Sequence, residues 1–250
     1  MAEKILGSTI PPEDRATVLK EYFSRYLTDV RGLSMSSVKH YIDALNNISR
    51  RLVEKGLVQI DIYEIMDLEK LSGIQDILFS DPEFVELNTR GNHMYSAGLN
   101  NYFRFAEGTD FNHVSYASKM DVPIKAKTSV KTEIKLYNRS DILRTHTLAF
   151  ANFHCELNNN HESFIAEKTK KPYMEVHHII PVKWQAQFEY SLDVYANLIS
   201  LCPVCHRQIH HGLKFDRLKL THQIFDEREE RLVKSGIILS RDEFTELVMR

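Results

Sequence analysis

Two cysteines separated by two residues, in Cys202-Pro-Val-Cys205, are the first feature of the sequence with a definite chemistry. A two-residue gap lets both thiolates point at one zinc ion, which normally takes four ligands. Upstream, Cys155 is followed six residues later by His161. We therefore predict a closed structural zinc site of three cysteines and one histidine. Two alternatives stay open: Cys155 is a small buried side chain and no zinc binds, or the cysteine pair is a redox dithiol.

Four histidines form a second group. His177 and His178 are adjacent in EVHHIIP, and His206 and His210 follow the cysteine pair four residues apart. Residues i and i+4 share one helix face, so the second pair can hold one divalent ion. Adjacent strand residues point to opposite sides, so one of the first pair can join the metal while the other faces substrate. An imidazole beside a metal is what metal-assisted hydrolysis requires. For any single histidine the alternative is an ordinary surface or core residue.

Read in order, these residues resemble the HNH nuclease motif, also called the ββα-metal fold. The resemblance spans residues 155–211 and rests on three pieces: EVHHIIP, then the NLISLC segment that begins at Asn197, then the C-H-x-x-I-H pattern. It implies a compact nuclease element in which two strands and a helix carry the reacting groups. About a quarter of the chain is covered.

The resemblance also implies a role for each residue. His178 would be the general base, and Asn197 would constrain the loop and orient that base. His177 would be the first metal ligand, and His206 the second, which also counts it among the catalytic residues. His210 matches the third histidine ligand of the colicin-type members.

Two positions depart from the family pattern. Many relatives have aspartate where His177 stands, which suits Mg²⁺, so a histidine leaves the catalytic ion open between Mg²⁺ and Mn²⁺. Relatives often have a second cysteine where Asn158 stands, and His161 is then the candidate for the fourth position of the structural zinc site.

The predicted elements around these residues change along the chain. Residues 1–107 show the apolar spacing of about five amphipathic helices. Residues 173–180 and 197–202 are short and β-prone, and a short helix follows the second of them and ends at Gly212. The tail, 213–249, has the pattern of two helices.

From these elements we predict an α+β fold, mostly α. A helical N-terminal domain precedes a C-terminal ββα-metal (HNH) nuclease domain with a zinc-binding brace and flanking helices. The predicted boundaries are 1–107 for the α-helical domain, which would serve target recognition or dimerisation, 108–137 for a basic linker, and 138–250 for the nuclease domain.

Composition limits the partners. The 250 residues carry a net charge of −2, yet residues 111–150 alone carry +4, so a nucleic acid would contact this middle part. Nine of the twelve histidines and all three cysteines fall between His146 and His222. An odd cysteine count argues against a disulfide framework and favours a reducing cytoplasm. No apolar run is long enough for a membrane span, so no membrane partner is expected.

The sequence thus predicts a cytoplasmic, metal-dependent DNA endonuclease of restriction or modification-dependent defence type. Its cofactors would be a structural Zn²⁺ and a catalytic Mg²⁺ or Mn²⁺, and its partner double-stranded DNA, with a homodimer left open. The alternatives are a non-catalytic, zinc-stabilised DNA-binding protein and an RNA nuclease.

Overall fold

The computed structural model describes residues 12–111, 115–126 and 140–249. The first half is helical, and its five helices are α1 (Pro12–Arg25), α2 (Met35–Glu54), α3 (Leu68–Phe79), α4 (Pro82–Arg90) and α5 (Met94–Ala106). A π-helical turn, Tyr26–Val30, extends α1. The predicted helical character of this part of the fold is confirmed.

Side-chain caps decide where these helices begin. Ser34 Oγ accepts a hydrogen bond from the Ser37 N–H at 3.2 Å, ahead of α2. Asp67 Oδ1 accepts one from the Lys70 N–H at 2.9 Å, ahead of α3. Asp81 caps α4 in the same way, with proline at the first helical position. Each cap satisfies an N–H group that has no partner within its own helix.

The second half places a small sheet among helices. Its elements are α6 (Ser115–Met120), α7 (Asp141–Phe150), β1 (Glu175–His178), β2 (Leu198–Leu201), α8 (Pro203–His211), α9 (Lys214–Lys234) and α10 (Arg241–Met249). The strands β1 and β2 pair antiparallel, with Glu175 opposite Leu201 and His178 opposite Leu198. This ββα arrangement within a mostly helical chain confirms the predicted fold class.

Buried aromatic contacts join the two halves of the chain. The Tyr22 ring of α1 stacks on Tyr195, just before β2, with centroids 4.1 Å apart. The Tyr195 N–H donates to the Tyr22 hydroxyl at 3.2 Å. His146 of α7 shares one hydrogen bond of 2.6 Å with the Tyr195 hydroxyl and a second with the Phe105 carbonyl of α5. The predicted domain boundaries stay a prediction, but the described residues share one apolar core.

Part of the predicted linker is packed. The Asp121 carboxylate is buried and accepts two hydrogen bonds from Arg231 of α9, at 2.6 and 3.0 Å. Lys125 forms an isolated antiparallel bridge with Tyr190. The rest of the basic stretch, residues 127–139, lies outside the described residues, as do 112–114. Among the described helices, none combines the length and the apolar character that crossing a membrane requires.

Candidate metal centres and catalytic histidine

The cysteine pair is built into the start of α8. Cys202 is the N-cap residue, Pro203 stands at the first helical position, and Cys205 lies one turn in. The Cys202 Sγ accepts a hydrogen bond from the Cys205 N–H at 3.5 Å. This spacing brings both sulfurs to the same side of the turn.

A tight turn supplies the other two members of this cluster. The Asn158 N–H bonds to the Cys155 carbonyl at 3.2 Å, and the His161 N–H bonds to the Asn158 carbonyl at 3.0 Å. Asn158 Oδ1 also accepts from the Asn160 N–H at 2.9 Å, so its side chain closes the turn. The position where relatives often have a cysteine is therefore a turn-forming asparagine here.

The four side chains meet in one cluster. One ligand atom from each of Cys155, His161, Cys202 and Cys205 lies within 4.8 Å of the other three. The His161 Nδ1 is 3.2 Å from the Cys205 sulfur and 3.7 Å from the Cys202 sulfur. Three soft thiols and an imidazole in a largely buried place are the donor set of a closed zinc site.

Burial, with the neighbouring Cys155 and Cys202 thiols, raises the pKa of Cys205 well above its usual range. A divalent cation bound in the cluster would instead favour the deprotonated Cys205 sulfur. The donors fit zinc, and their role as ligands stays a prediction.

Three histidines form a second cluster at the far end of α8. The ring centroids of His177, His206 and His210 are 4.9–5.0 Å apart in all three pairs. One nitrogen from each lies within 4.8 Å of the other two. Desolvation, with a smaller contribution from the neighbouring His206, lowers the pKa of His210 and so favours the neutral ring that a metal ligand requires. His210 is exposed, so this cluster is open to solvent.

A carboxylate that sequence reasoning missed supports this cluster. Glu175 begins β1, and its carboxylate accepts a hydrogen bond from His206 Nδ1 and a second, of 3.3 Å, from the Tyr173 hydroxyl. With Nδ1 engaged by Glu175, Nε2 is the His206 nitrogen left for a metal ion. A carboxylate that binds the ring nitrogen not used by the metal commonly fixes the tautomer of a metal-binding histidine. Glu175 lies two residues before His177, and residues two apart on a strand share one face, so the sequence did contain this indication.

His178 lies on the other side of β1. Its Nε2 is 2.8 Å from Asp193 Oδ1, and the Asp193 side chain is almost fully buried. The Asp193 N–H donates to Ser191 Oγ at 3.1 Å, which holds the loop that carries the carboxylate. Sequence reasoning missed Asp193 because it lies in a loop 15 residues away with no periodic pattern.

Asn197 closes the loop between the two strands. Its Oδ1 accepts a hydrogen bond from the Ile180 N–H at 2.8 Å, and its Nδ2 donates to the carbonyls of Ile180 and Leu192 at 2.9 and 2.8 Å. The side chain is fully buried. It therefore ties the segment after His178 to the segment that carries Asp193, and it acts on His178 only through the backbone.

The family comparison agrees with this geometry. The two strands and the helix together carry one open histidine cluster and one buried thiol cluster, each of which could hold a metal ion. Residues 154–212 match the HNH endonuclease family model, so this part of the chain is an HNH endonuclease domain. That domain class implies a nucleic acid substrate. The match contains both clusters and excludes the N-terminal helices. No curated protein sequence matches the chain.

Proposed function

We propose that this protein is a cytoplasmic, metal-dependent endonuclease that hydrolyses phosphodiester bonds of double-stranded DNA in restriction or modification-dependent defence. The observation that supports this proposal is that two adjacent histidines of β1 face opposite sides of the strand. His177 turns toward the two histidines of α8, whereas His178 turns toward the buried carboxylate of Asp193. Metal binding and proton transfer are thereby given to adjacent residues on opposite sides of one strand.

His178 is the general base in this proposal. Asp193 Oδ1 accepts a hydrogen bond from the Nε2–H group, so the neutral His178 ring keeps its lone pair on Nδ1. This tautomer is assigned from the hydrogen-bond partner. The lone pair takes a proton from the attacking water, and the carboxylate stabilises the imidazolium that results. Asn197 and Asp193 are positioning residues, because they act through His178 and its loop.

The two clusters have different ions in this proposal. His177, His206 and His210 would hold a Mg²⁺ or Mn²⁺ ion, which when bound neutralises charge on the phosphate and the leaving oxygen. Imidazole nitrogens suit Mn²⁺ better than Mg²⁺, which prefers oxygen ligands. The remaining cluster, Cys155, His161, Cys202 and Cys205, would hold a structural Zn²⁺.

Cleavage of supercoiled plasmid tests the proposal. The intact protein with Mn²⁺ or Mg²⁺ should convert the plasmid to nicked and linear forms, and EDTA should abolish the conversion. DNA binding without cleavage under every ion tried would favour the non-catalytic module instead. Faster cleavage of a competing RNA would favour an RNA nuclease. Comparison of methylated with unmethylated phage DNA tests the dependence on base modification.

A further inference from the structure

A short hairpin leads into β1 and exposes two large apolar side chains. In the 164–173 hairpin, the Tyr173 N–H donates to the Phe164 carbonyl at 2.8 Å and the Ala166 N–H donates to the Lys171 carbonyl at 2.9 Å. Phe164 is 64% exposed and Ile165 is 61% exposed. Adjacent residues of a paired strand point to opposite sides, so each face of this hydrogen-bonded hairpin carries one exposed apolar side chain.

The exposed phenyl ring is held in place. Phe164 stacks on Tyr173 with ring centroids 4.8 Å apart and an angle of 13° between the planes. One face of the phenyl ring therefore rests on the hairpin while its edge and other face meet solvent. A side chain already held in its position loses little further conformational entropy when a partner covers it.

The tip of the hairpin is basic. Lys168, Lys170 and Lys171 outnumber Glu167, which gives the hairpin a charge of +2. Lys168 is ion-paired with Glu69 of α3, and Lys170 with Glu167, each at 2.8 Å, and all these side chains are at least two-thirds exposed. Exposed ion pairs of this kind contribute little to stability, so the lysines can exchange their partners for phosphates.

The hairpin is connected to the histidine cluster by direct contacts. The Tyr173 ring supports Phe164 on one side, and its hydroxyl donates to Glu175 at 3.3 Å. Glu175 in turn accepts a hydrogen bond from His206. Only two side chains therefore separate the exposed ring from a candidate metal ligand. The hairpin is therefore a near neighbour of the cluster at which a duplex phosphate would bind.

We propose that the 164–173 hairpin is a DNA-contacting element. Phe164 and Ile165 enter the groove next to the cleaved bond, while Lys168, Lys170 and Lys171 contact the flanking phosphates. This inference rests on the proposed function for its substrate. Apolar side chains that press between base steps, with basic residues on the backbone, are a known way of holding and bending a duplex. The +2 charge favours DNA over an apolar protein partner.

The test measures binding apart from cleavage. The His178→Ala chain is titrated with a short fluorescent duplex over a salt series, with and without Phe164→Ala/Ile165→Ala or Lys168→Ala/Lys170→Ala. Replacing the apolar pair by alanine should weaken DNA binding about tenfold at every salt concentration. Replacing the lysine pair by alanine should reduce the magnitude of the slope of log affinity against log salt by about 2, close to one per lost phosphate contact. Phe164→Tyr should retain near-normal affinity.

Matched controls lie elsewhere on the surface. Ile238→Ala removes an apolar side chain that is 78% exposed, and Lys234→Ala removes an exposed lysine of α9, so neither should change affinity or slope. Unchanged binding in the hairpin variants, or no DNA binding by the chain at any salt concentration, would overturn the hairpin proposal. A change of oligomeric state without a change in DNA affinity would also overturn it and indicate a protein interface. If the intact protein binds through the hairpin but cuts no DNA, only the proposed function fails.

Discussion

The two ends of α8 carry clusters of opposite character. At its start, three cysteines and His161 form a cluster in which all three cysteines are buried, whereas at its end His210 leaves the histidine cluster exposed. The buried cluster joins a turn, a helix start and β2 into one unit. The exposed cluster has room for a further ligand such as a phosphate oxygen or water. One nine-residue helix thus separates a site suited to holding the fold from one suited to chemistry.

The largest effect should come from the cysteine cluster. Cys202→Ser should give insoluble or unfolded protein, because structural zinc contributes about 10–16 kcal/mol in small zinc domains, comparable to the whole stability of a domain. Yield, thermal melting and elemental analysis measure this, and the intact dialysed protein should hold about one zinc per chain. Val204→Ser, at the exposed position between the two cysteines, is the matched control. A folded, active Cys202→Ser chain without zinc would contradict the structural role.

His178 should show the reverse pattern. His178→Ala should lower the plasmid cleavage rate by about 10²-fold or more, since general-base catalysis typically contributes that much. The chain should stay folded, although loss of the Asp193 partner should lower its melting temperature, and its DNA affinity should match that of the intact chain. His40→Ala, an exposed histidine of α2, serves as the control. Near-normal cleavage by His178→Ala would exclude this residue as the base.

His210 tests whether the histidine cluster holds the exchanging ion. His210→Ala should raise the Mn²⁺ concentration needed for half-maximal cleavage by about 10- to 100-fold, because one of three ligands is lost. High Mn²⁺ should restore part of the rate, and the zinc content should not change. The neighbouring exposed His211→Ala should behave as the intact chain does. A loss of zinc in His210→Ala would remove the distinction between the two clusters.

Asp193 should have a smaller effect because it acts through His178. Asp193→Asn keeps the size of the side chain but removes its charge, and we expect the turnover rate to fall about tenfold with KM for DNA unchanged. An Asp193→Asn/His178→Ala double variant should be no slower than His178→Ala alone. Asp76→Asn on the exposed face of α3 is the control. If Asp193→Asn lowered the turnover rate equally in the intact chain and in the His178→Ala chain, Asp193 would act independently of His178.

The smallest effect should come from the N-terminal helices. Tyr22→Phe removes the hydroxyl that accepts the buried Tyr195 N–H, and an unsatisfied buried donor costs about 1–3 kcal/mol. Denaturant unfolding measures this cost, with Tyr41→Phe as the control. Cleavage should fall only a few-fold at a temperature where the chain stays folded. A loss as large as that of His178→Ala would give α1 a direct part in the chemistry.

Local signals explain what the sequence could predict. Ser34, Asp67 and Asp81 mark helix starts because a cap depends on neighbouring residues alone. Asn92 is a residue type that favours helix caps, but the cap position of α5 is the next residue, His93. Both residues adopt left-handed backbone conformations, with φ of 50° and 61°, and the His93 side chain makes no cap bond. Asn88 of α4 instead accepts a hydrogen bond from the Ser96 N–H at 3.0 Å, a contact across eight residues that a cap pattern does not report.

Long-range contacts explain what the sequence could not predict. The metal-ligand candidates were visible because their residue types are rare and their spacing is short. Glu175 and Asp193 were not, because an acidic residue is common and its role depends on which side chain the fold brings beside it. The contact between Tyr22 and Tyr195 spans 173 residues and left no trace in either segment alone.

That aromatic stack has a consequence for how the protein can be recombined. Tyr195 is two residues from both Asp193 and Asn197, so the loop that carries them rests on a surface contributed by the first helix. Transplanting residues 138–250 onto a different targeting module would leave Tyr195 and His146 facing water and their hydrogen bonds to the first half broken. We therefore expect that residues 138–250 cannot be transferred without the helices of the first half on which they pack. Chimaeras that keep α1, α5 and α7 together with it should remain soluble where shorter grafts aggregate.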